Sequence, residues 1–490
     1  MYCNKIKHFF IKYFLQNSKK SLFNNNNNKI KKEQSMKVGV IGGGISGVSL
    51  ALKLSLLKEQ GKDIDITLLE ASNRLGGTID SVHKEGYVIE SGTNGFLDSK
   101  PFTLEVFEEA GLKNKLVRSN DNARIRYIQR YGALQRLPEG AGAFLTSKLL
   151  SFGGKMRLAK EFFVPQKKDD SDETLAHFAE RRLGREALDY LIGPMVSGVF
   201  AGNPEKMSLQ SCFPVIYDLE KTYGGLIKGM FKKPKKKSGP AGPGGALTSY
   251  EGGMGESVKD LARVAESKGV KIYLENPAEK VVKKDGKYIV TSSNKEYEFD
   301  VLAVCAPAYA GGKFLKELDS ELADILSSIP YAPMFVAGLG FNSEDIEDDI
   351  HGFGYLIPKK ENMRILGALF TSSMFPVQAP QGKKFLRIMA GGDTNHELMQ
   401  KSEDELLKIC LEDVTKVLGV KKDPYMIQTF KVMRAIPQYH TGHREKVAKI
   451  EEVTSKLGNI YIGGNVLYGI GLNDCTKTSK LIADKIAERL

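Results

Sequence analysis

The chain has 490 residues, of which 41% are apolar, and a formal net charge of +12. This length and apolar content suit two or three globular domains, and no apolar run reaches the roughly 18 residues that a membrane-spanning helix requires. The five scattered cysteines fit neither a disulfide framework nor a zinc site, so we expect reduced thiols and no bound metal.

The excess positive charge is concentrated at the amino terminus. Residues 1–32 contain eight lysines and no acidic residue. Apolar residues recur there at helical spacing, namely Ile6, Phe9, Phe10, Tyr13 and Phe14. This pattern is typical of an amphipathic mitochondrial presequence. Arginine is absent from it, so a disordered tail at 1–35 is the alternative.

The stretch VGVIGGGISGVSLALKLSLL, residues 38–57, predicts a strand, a glycine turn and a helix. Gly42, Gly44 and Gly47 fit G-x-G-x-x-G, in which the glycines serve a tight turn, a close approach to a pyrophosphate and close helix–strand packing. A second predicted strand, Ile64 to Leu69, ends at Glu70, whose carboxylate can accept hydrogen bonds from a ribose diol. The unit therefore predicts a dinucleotide site and disfavours NADP.

The next segment, ASNRLGGTIDS (71–81), resembles the flavin amine oxidase superfamily, in which an Arg-x-Gly-Gly segment follows the ribose acid. The carboxy-terminal NIYIGGNVLYGIGLNDC resembles the strand and glycines that close the same flavin site. The resemblance implies one FAD per chain. It also implies noncovalent binding, because Cys475 lies beyond the flavin loop, whereas amine oxidases with covalent flavin carry their attachment cysteine before it. The implied cofactor-binding residues are Gly42, Gly43, Gly44, Ile45, Ser46, Gly47, Glu70, Ala71, Arg74, Gly77, Thr78, Gly92, Thr93, Asn94, Gly95, Asn465, Ile470, Gly471 and Leu472.

One position departs from that pattern. Several members of the superfamily carry Pro-Arg after the glycine that matches Gly92, whereas this chain has Thr93-Asn94. The departure removes a positive charge near the cofactor and puts in doubt any role for an arginine there.

The middle of the chain divides by composition. Helical signals dominate from Phe102 to Met230, and short β-rich runs from Phe335 to Ile388 predict an antiparallel sheet with one face on a cavity. Between them, Lys284-Asp285-Gly286 predicts a hairpin turn. The expected fold class is α/β, with a discontinuous Rossmann-like FAD-binding domain, a mixed-sheet substrate domain and a helical membrane-associated subdomain. The predicted boundaries are 1–35 for the presequence or tail; 36–90, 248–306 and 455–490 for the FAD-binding domain; 91–123 and 307–454 for the substrate domain; 124–230 for the helical subdomain; and 231–247 for a flexible basic loop.

Four further segments resemble the protoporphyrinogen oxidase family: IGPMVSGVFAGNPEKMSLQSCFP (192–214), GFGYLIP (352–358), LGALFTSSMFP (366–376) and AIPQYHTGH (435–443). The resemblance implies six-electron oxidation of protoporphyrinogen IX to protoporphyrin IX in heme biosynthesis, with oxygen reoxidising the flavin to give hydrogen peroxide. No catalytic side chain is expected, because the cofactor carries the redox chemistry.

The same resemblance implies a substrate site. Arg124 matches the family's substrate-carboxylate arginine, and a planar guanidinium suits bidentate carboxylate binding. Arg126 and Arg130 are rivals, because a two-residue insertion blurs the register. The other implied residues are apolar or small: Gly198, Phe353, Leu356, Leu366, Leu369 and Phe370.

The sequence leaves other functions open. The same chemistry on coproporphyrinogen III, a flavin amine oxidase, and a non-catalytic flavin-bearing scaffold are rival functions. The leader and the basic cluster from Lys232 to Gly245 suggest peripheral contact with the mitochondrial inner membrane. A homodimer and hand-over of the product to ferrochelatase are compatible with the resemblance, and no nucleic acid is expected as a partner.

Overall fold

The computed structural model of the protein describes residues 35–232, 245–347 and 350–490. The predicted presequence or tail, and most of the predicted basic loop, lie outside the described residues. Residues 36–490 belong to one compact unit.

Strands and helices alternate through that unit. The strands are β1 (Met36–Ile41), β2 (Ile64–Leu69), β3 (Ser81–Lys84), β4 (Tyr87–Glu90), β5 (Phe96–Leu97), β6 (Leu116–Arg118), β7 (Arg126–Arg130), β8 (Ala133–Arg136), β9 (Leu247–Tyr250), β10 (Lys271–Tyr273), β11 (Lys280–Lys284), β12 (Lys287–Ser292), β13 (Lys295–Phe299), β14 (Val301–Val304), β15 (Tyr331–Asn342), β16 (Gly354–Leu356), β17 (Ile365–Phe370), β18 (Lys383–Gly391), β19 (Met426–Pro437) and β20 (Ile460–Ile462). The α-helices are α1 (Ile45–Glu59), α2 (Pro101–Glu109), α3 (Ala141–Thr146), α4 (Phe152–Ala159), α5 (Leu175–Arg182), α6 (Arg185–Ala187), α7 (Gly193–Phe200), α8 (Leu209–Cys212), α9 (Pro214–Tyr223), α10 (Leu226–Lys232), α11 (Met254–Ser267), α12 (Ala308–Phe314), α13 (Ser320–Ser327), α14 (Thr371–Met374), α15 (Glu403–Leu418), α16 (His443–Leu457) and α17 (Leu472–Ala487).

A five-stranded parallel sheet joins the two ends of the described chain. Its order is β10-β2-β1-β14-β20. The central strands β1 and β14 are almost continuously apolar, as expected for a parallel sheet covered on both faces. α1 packs against α17, and the Ser479 hydroxyl donates to the Ser46 carbonyl at 2.7 Å. The discontinuous Rossmann-like domain that the sequence predicts is confirmed.

A seven-stranded sheet forms the second layer, in the order β19-β15-β18-β17-β16-β7-β8. Its strands are antiparallel except that β16 pairs with β7 in parallel. One face buries Phe335, Leu339 and Ile388 against α15. The other face meets β4, where an added Cβ on Gly338 would lie 2.7 Å from Ile89. The predicted antiparallel sheet is confirmed, and so is the hairpin, whose turn residues Asp285 and Gly286 both have positive φ.

The structure moves two of the predicted boundaries. β7 and β8 lie within 124–230, which the sequence assigned to the helical subdomain, and the helices begin only at Ala141. β7 forms a hairpin with β8 and pairs in parallel with the distant strand β16. Tyr127 of β7 also packs against Phe370 of β17 at a ring distance of 6.3 Å, so both strands belong to the seven-stranded sheet. α2, which lies in the segment 91–123 assigned to the substrate domain, instead buries Val106 and Phe107 in the core of the parallel-sheet domain.

Helices α3–α10 form the helical part of the molecule. Its centre is a buried ion cluster in which Arg182 binds both Glu161 and Glu220. None of the described helices is long and apolar enough to cross a membrane. The described cysteines Cys212, Cys305, Cys410 and Cys475 are free, as expected.

Candidate active site

The glycine turn after β1 gives each of its three motif glycines a different role. Gly42 has a φ of +108°, and an added Cβ on Gly47 would lie 1.9 Å from the Gly42 carbonyl oxygen. Around Gly44, by contrast, an added Cβ would find only the Gly76 carbonyl oxygen within 4 Å, at 3.8 Å. The first and third glycines thus shape the turn, and the second borders open space.

The helix that follows turns uncapped backbone N–H groups towards that space. α1 begins after Gly44 without a side-chain cap, and its first turn contains no acidic residue. A helix amino terminus of this kind attracts anions through its free N–H groups and its partial positive charge. The open space at Gly44 and the uncapped helix therefore fit a pyrophosphate.

Glu70 is fixed at the end of β2. Its carboxylate accepts hydrogen bonds from the Gly43 N–H at 2.6 Å and from the Ser72 N–H at 2.9 Å. The carboxylate lies beside the glycine turn, which is the position that ribose recognition requires.

The Arg74–Thr78 segment crosses the same turn. The Gly76 N–H donates to the Gly43 carbonyl at 2.9 Å. The Arg74 guanidinium donates to the Gly77 carbonyl at 2.9 Å, and more weakly to those of Leu75 and Ile79. Arg74 therefore holds the shape of its own loop.

The carboxy-terminal loop, residues 463–471, is held by two residues that sequence reasoning missed. The buried hydroxyl of Tyr439 donates to the Asn465 carbonyl at 2.6 Å and accepts from the Gly469 N–H at 3.0 Å. His443 stacks on the Tyr439 ring at 4.0 Å, and its Nε2 lies 3.2 Å from the Leu467 carbonyl oxygen. Burial lowers the pKa of His443 to about 4, so the ring is neutral and Nε2–H donates to that carbonyl. The segment AIPQYHTGH was the available signal, because it supplies both side chains.

The same loop reaches the helical part of the molecule. Ile470 packs against a cluster that includes Val196 and Phe200 of α7. α17 then begins after Gly471 without a side-chain cap. The loop that is expected to contact the flavin therefore adjoins the helix that carries Gly198.

The predicted substrate residues lie mainly on one face of the seven-stranded sheet. Phe353 and Leu369 pack with Ala123 and Met374. Leu366 adjoins Met334 and Ala201 in a separate cluster.

α7 covers part of that face. An added Cβ on the exposed Gly198 would lie 2.9 Å from Leu356. Phe353, Leu356 and Leu366 are only half-buried, so apolar surface stays accessible there.

Phe370 does not join that face. It lies in the core beneath α15, 6.0 Å from the Tyr355 ring and almost fully buried. Neighbouring residues of a strand point to opposite faces, so Leu369 and Phe370 cannot both line one pocket. The prediction that placed Phe370 among the pocket residues is corrected accordingly.

The three candidate arginines differ in what they contact. Arg124, in the 3₁₀ turn Asp121–Arg124, is 57% exposed, and its Nε lies 3.8 Å from a Glu139 oxygen. The Arg126 guanidinium lies 5.1 Å from the Phe353 ring centre, and burial lowers its pKa. Arg130 is buried and binds Glu186 at 2.6 Å. The Arg130 guanidinium is thus occupied by an ion pair with the helical part, whereas the Arg124 guanidinium remains accessible.

The Gly92–Gly95 segment is tied to the sheet by another residue that sequence reasoning missed. The Arg387 guanidinium, from β18, donates to Asn94 Oδ1 at 3.1 Å and to the carbonyls of Ser91 and Gly92. A single arginine inside the apolar run FLRIMAG of β18 was the available signal, because such a charge is rarely buried without a purpose.

These features fit FAD. The open space at Gly44, the uncapped start of α1 and the fixed Glu70 carboxylate suit a phosphate-bearing dinucleotide. Among the described residues there is no group of three or more His, Cys, Asp or Glu that could hold a metal ion.

Comparison with known proteins gives a family match over most of the chain. Residues 45–487 match the family described as flavin containing amine oxidoreductase. A Bacillus subtilis protein named coproporphyrinogen III oxidase is 30% identical, over 90% of this chain and 96% of its own length. A tobacco protein named mitochondrial protoporphyrinogen oxidase is 27% identical, over 94% of this chain and 96% of its own.

Solved structures share the fold. A structure from Exiguobacterium sp. 255-15, assigned as a candidate protoporphyrinogen oxidase, superposes with a TM-score of 0.80 at 26% identity, covering 93% of this chain and 99% of its own. A putrescine oxidase structure superposes with a TM-score of 0.67 at 13% identity, covering 93% of this chain and 99% of its own, which is a likeness of fold alone.

Proposed function

The chain belongs to the flavin containing amine oxidoreductase family, and on that premise we propose that it is an FAD-dependent oxidoreductase that oxidises a porphyrinogen in heme biosynthesis. The observation that carries the proposal is the contact between the carboxy-terminal flavin loop and α7, beside an accessible apolar sheet face. Relatives named as porphyrinogen oxidases support the substrate class.

Protoporphyrinogen IX is the proposed substrate and protoporphyrin IX the product, after a six-electron oxidation. Oxygen is the proposed final acceptor, with hydrogen peroxide as by-product. Coproporphyrinogen III is the second candidate, because the relatives from Bacillus subtilis and Staphylococcus aureus carry that name.

The chain's own residues bind and orient both partners. Gly44 and the start of α1 would receive the pyrophosphate, Glu70 the ribose, and the loop held by Tyr439 the flavin. When bound noncovalently, FAD supplies the hydride acceptor and passes electrons to oxygen. The pyrrole nitrogens of the substrate stabilise the cation that develops at a meso carbon, and this cation then loses a pyrrole N–H proton to water, so no side-chain base is required of the protein.

The substrate is proposed to lie on the apolar face formed by Phe353, Leu356, Leu366 and Leu369. A flat apolar macrocycle needs such a surface and a few polar anchors. Arg124 is the proposed carboxylate anchor, because its guanidinium is accessible and its ion pair with Glu139 is long.

A comparison of the two porphyrinogens tests the function. Purified holoenzyme is given each one in turn, and the appearance of porphyrin is followed by fluorescence. We expect a higher kcat/KM for protoporphyrinogen IX and no oxidation of putrescine. A higher value for coproporphyrinogen III would transfer the assignment to that substrate. Turnover of neither porphyrinogen by a protein that holds FAD would favour the non-catalytic scaffold.

Peripheral contact with a lipid surface is part of the proposal. Exposed apolar side chains recur along α3, α4, the 3₁₀ turn Lys160–Phe163 and α10: Leu145, Phe152, Met156, Phe162, Phe163, Met230 and Phe231. Lysines lie among them, and Lys228 Nζ is 5.3 Å from the Phe162 ring. Apolar residues interspersed with cations are what an anionic membrane surface attracts. The mitochondrial inner membrane is the proposed location, while a homodimer and hand-over to ferrochelatase remain predictions of the resemblance.

Vesicle sedimentation tests the membrane contact. The triple variant Phe152→Ser, Phe163→Ser, Phe231→Ser should lose most of its binding to vesicles that contain anionic lipid. Leu481→Ser, which changes an exposed apolar residue on α17 outside this surface, should bind as the unmodified protein does. Equal binding by both variants would contradict the proposal.

A further inference from the structure

A buried arginine from the substrate sheet grips the segment that follows β4. Arg387 is 4% exposed. Its Nη1 donates to Asn94 Oδ1 at 3.1 Å, and its Nη2 donates to the carbonyls of Ser91, at 3.2 Å, and Gly92. One guanidinium therefore fixes the chain at three points within four residues.

The charge of this guanidinium is not cancelled by a direct ion pair. No carboxylate in the described part of the chain forms an ion pair with Arg387, and its hydrogen-bond acceptors are amide oxygens. Burial lowers the pKa of Arg387 to about 10, which leaves it protonated at neutral pH. The carboxyl of Glu90 acts on it from a greater distance, and burial raises the pKa of Glu90 to about 7, so that carboxyl is only partly ionised.

One donor of the group has no acceptor within the protein. Arg387 Nε is buried and has no hydrogen-bond partner. Leaving a buried donor unsatisfied destabilises the fold, and more so when the group is charged. A buried cation whose hydrogen bonds are incomplete is unfavourable for folding, which indicates a role beyond packing.

On the basis of the proposed function, we propose that Arg387 is the cationic positioning residue of the flavin site: it holds Gly92–Asn94 against the cofactor and supplies the positive potential there. Asn94 stands in the stretch where the sequence lacks the expected arginine, and it is itself bound by Arg387. Arg387 of β18, nearly 300 residues further along the chain, thus supplies the positive charge that the sequence lacks at Asn94. A fixed cation near a flavin stabilises its reduced, electron-rich form and raises its reduction potential.

The alternative is that Arg387 only connects two layers of the fold through the same hydrogen bonds and has no effect on the flavin. The test must therefore read the flavin directly, without porphyrinogen. FAD dissociation constants are measured by fluorescence, and midpoint potentials by dye equilibration, on the full holoprotein carrying Arg387→Met or Arg387→Lys. Lys383→Met is the matched control, because it removes a positive charge from the same strand at a side chain that contacts Asn342 and Tyr425 instead.

We expect Arg387→Met to bind FAD at least tenfold more weakly and to have a more negative midpoint potential. Arg387→Lys should retain most of the potential, because it keeps the charge, and lose affinity, because a lysine cannot bind three acceptors in one plane. Lys383→Met should match the unmodified protein in both measurements.

If Arg387→Met keeps its FAD affinity and midpoint potential and loses only thermal stability, the proposal is overturned and the role of Arg387 is purely structural. If Arg387→Met does not fold, Arg387→Lys decides by itself, since unchanged FAD affinity in that variant would also overturn it. Failure of the porphyrinogen assay with these flavin readouts as expected would contradict the proposed substrate and leave this inference standing.

Discussion

Gly44 is the residue whose small size bears most directly on the cofactor site. Its φ of −74° is one that any residue adopts, and an added Cβ would meet no protein atom closer than 3.8 Å. Gly44→Ala should therefore fold normally and bind FAD at least tenfold more weakly, because the methyl group occupies the space proposed for the pyrophosphate. Gly140→Ala is the control, since its added Cβ also lies in open space, away from the site. Calorimetric titration of the apoprotein with FAD measures both, and equal affinity would refute the role given to Gly44.

Tyr439 connects side-chain chemistry to the flavin loop. Tyr439→Phe leaves the Asn465 carbonyl and the Gly469 N–H without their partner, at a cost of about 1–3 kcal/mol for each buried group left unsatisfied. We expect faster flavin release and a lower melting temperature. Tyr355→Phe is the matched control, because the buried hydroxyl of Tyr355 has no hydrogen-bond partner in the described structure. Equal behaviour of the two variants in a flavin-release assay would count against the loop-holding role.

Arg124 is predicted to act on substrate binding. An ionic hydrogen bond contributes about 1.5–3 kcal/mol, so Arg124→Ala should raise KM about tenfold or more with little change in kcat. Arg136→Ala is the control, because Arg136 pairs with the same Glu139, at 2.5 Å, and is similarly exposed. If steady-state kinetics instead show the increase in KM for Arg126→Ala, the substrate carboxylate binds Arg126, on the Phe353 side.

At the scale of the element, the sequence predicted those strands and turns whose conformation is set by local residue patterns. β2 runs from Ile64 to Leu69 as expected, and the turn at Asp285-Gly286 joins two strands. β7 was missed although its hairpin with β8, whose turn residues Tyr131 and Gly132 have positive φ, is local. Only its pairing with β16, more than 200 residues away, is absent from the local sequence. Phe370 likewise lies outside the pocket because its side of β17 faces α15, and the local sequence does not show which side of the strand faces the core.

The docking of the helices depends on the buried ion cluster. Glu161 and Arg182 are fully buried, and Glu161 also accepts from the N–H groups of Leu226 and Ile227 at the start of α10. Arg182→Met leaves that carboxylate without its charge partner, and removal of one member of a buried pair costs about 3–5 kcal/mol.

Arg185→Met, which breaks an exposed pair with Asp189, should cost less than about 1 kcal/mol and is the control. Limited proteolysis should therefore cut the helical part of Arg182→Met much faster than that of Arg185→Met. Equal cleavage rates would show that the cluster is not what holds these helices together.

At the scale of the whole molecule, the two ends of the described chain build one site. β1 and β20 flank β14 in a single sheet, and Ser479 binds the backbone of Ser46 across 433 positions. The sequence predicted this junction because each end carries its own glycine pattern. It did not predict Arg387, Tyr439 and His443, which come from elements that reach the proposed cofactor site only through the tertiary fold, and whose contacts no local spacing encodes.

Anaerobic titration of the purified protein with protoporphyrinogen IX, followed by absorption spectroscopy, tests most directly whether the joined ends hold a flavin beside a tetrapyrrole site. The account predicts a yellow protein whose flavin absorption bleaches as the porphyrin bands appear, and whose colour returns when oxygen is admitted. A colourless protein that takes up no FAD, or bound flavin that stays oxidised in the presence of either porphyrinogen, would contradict it.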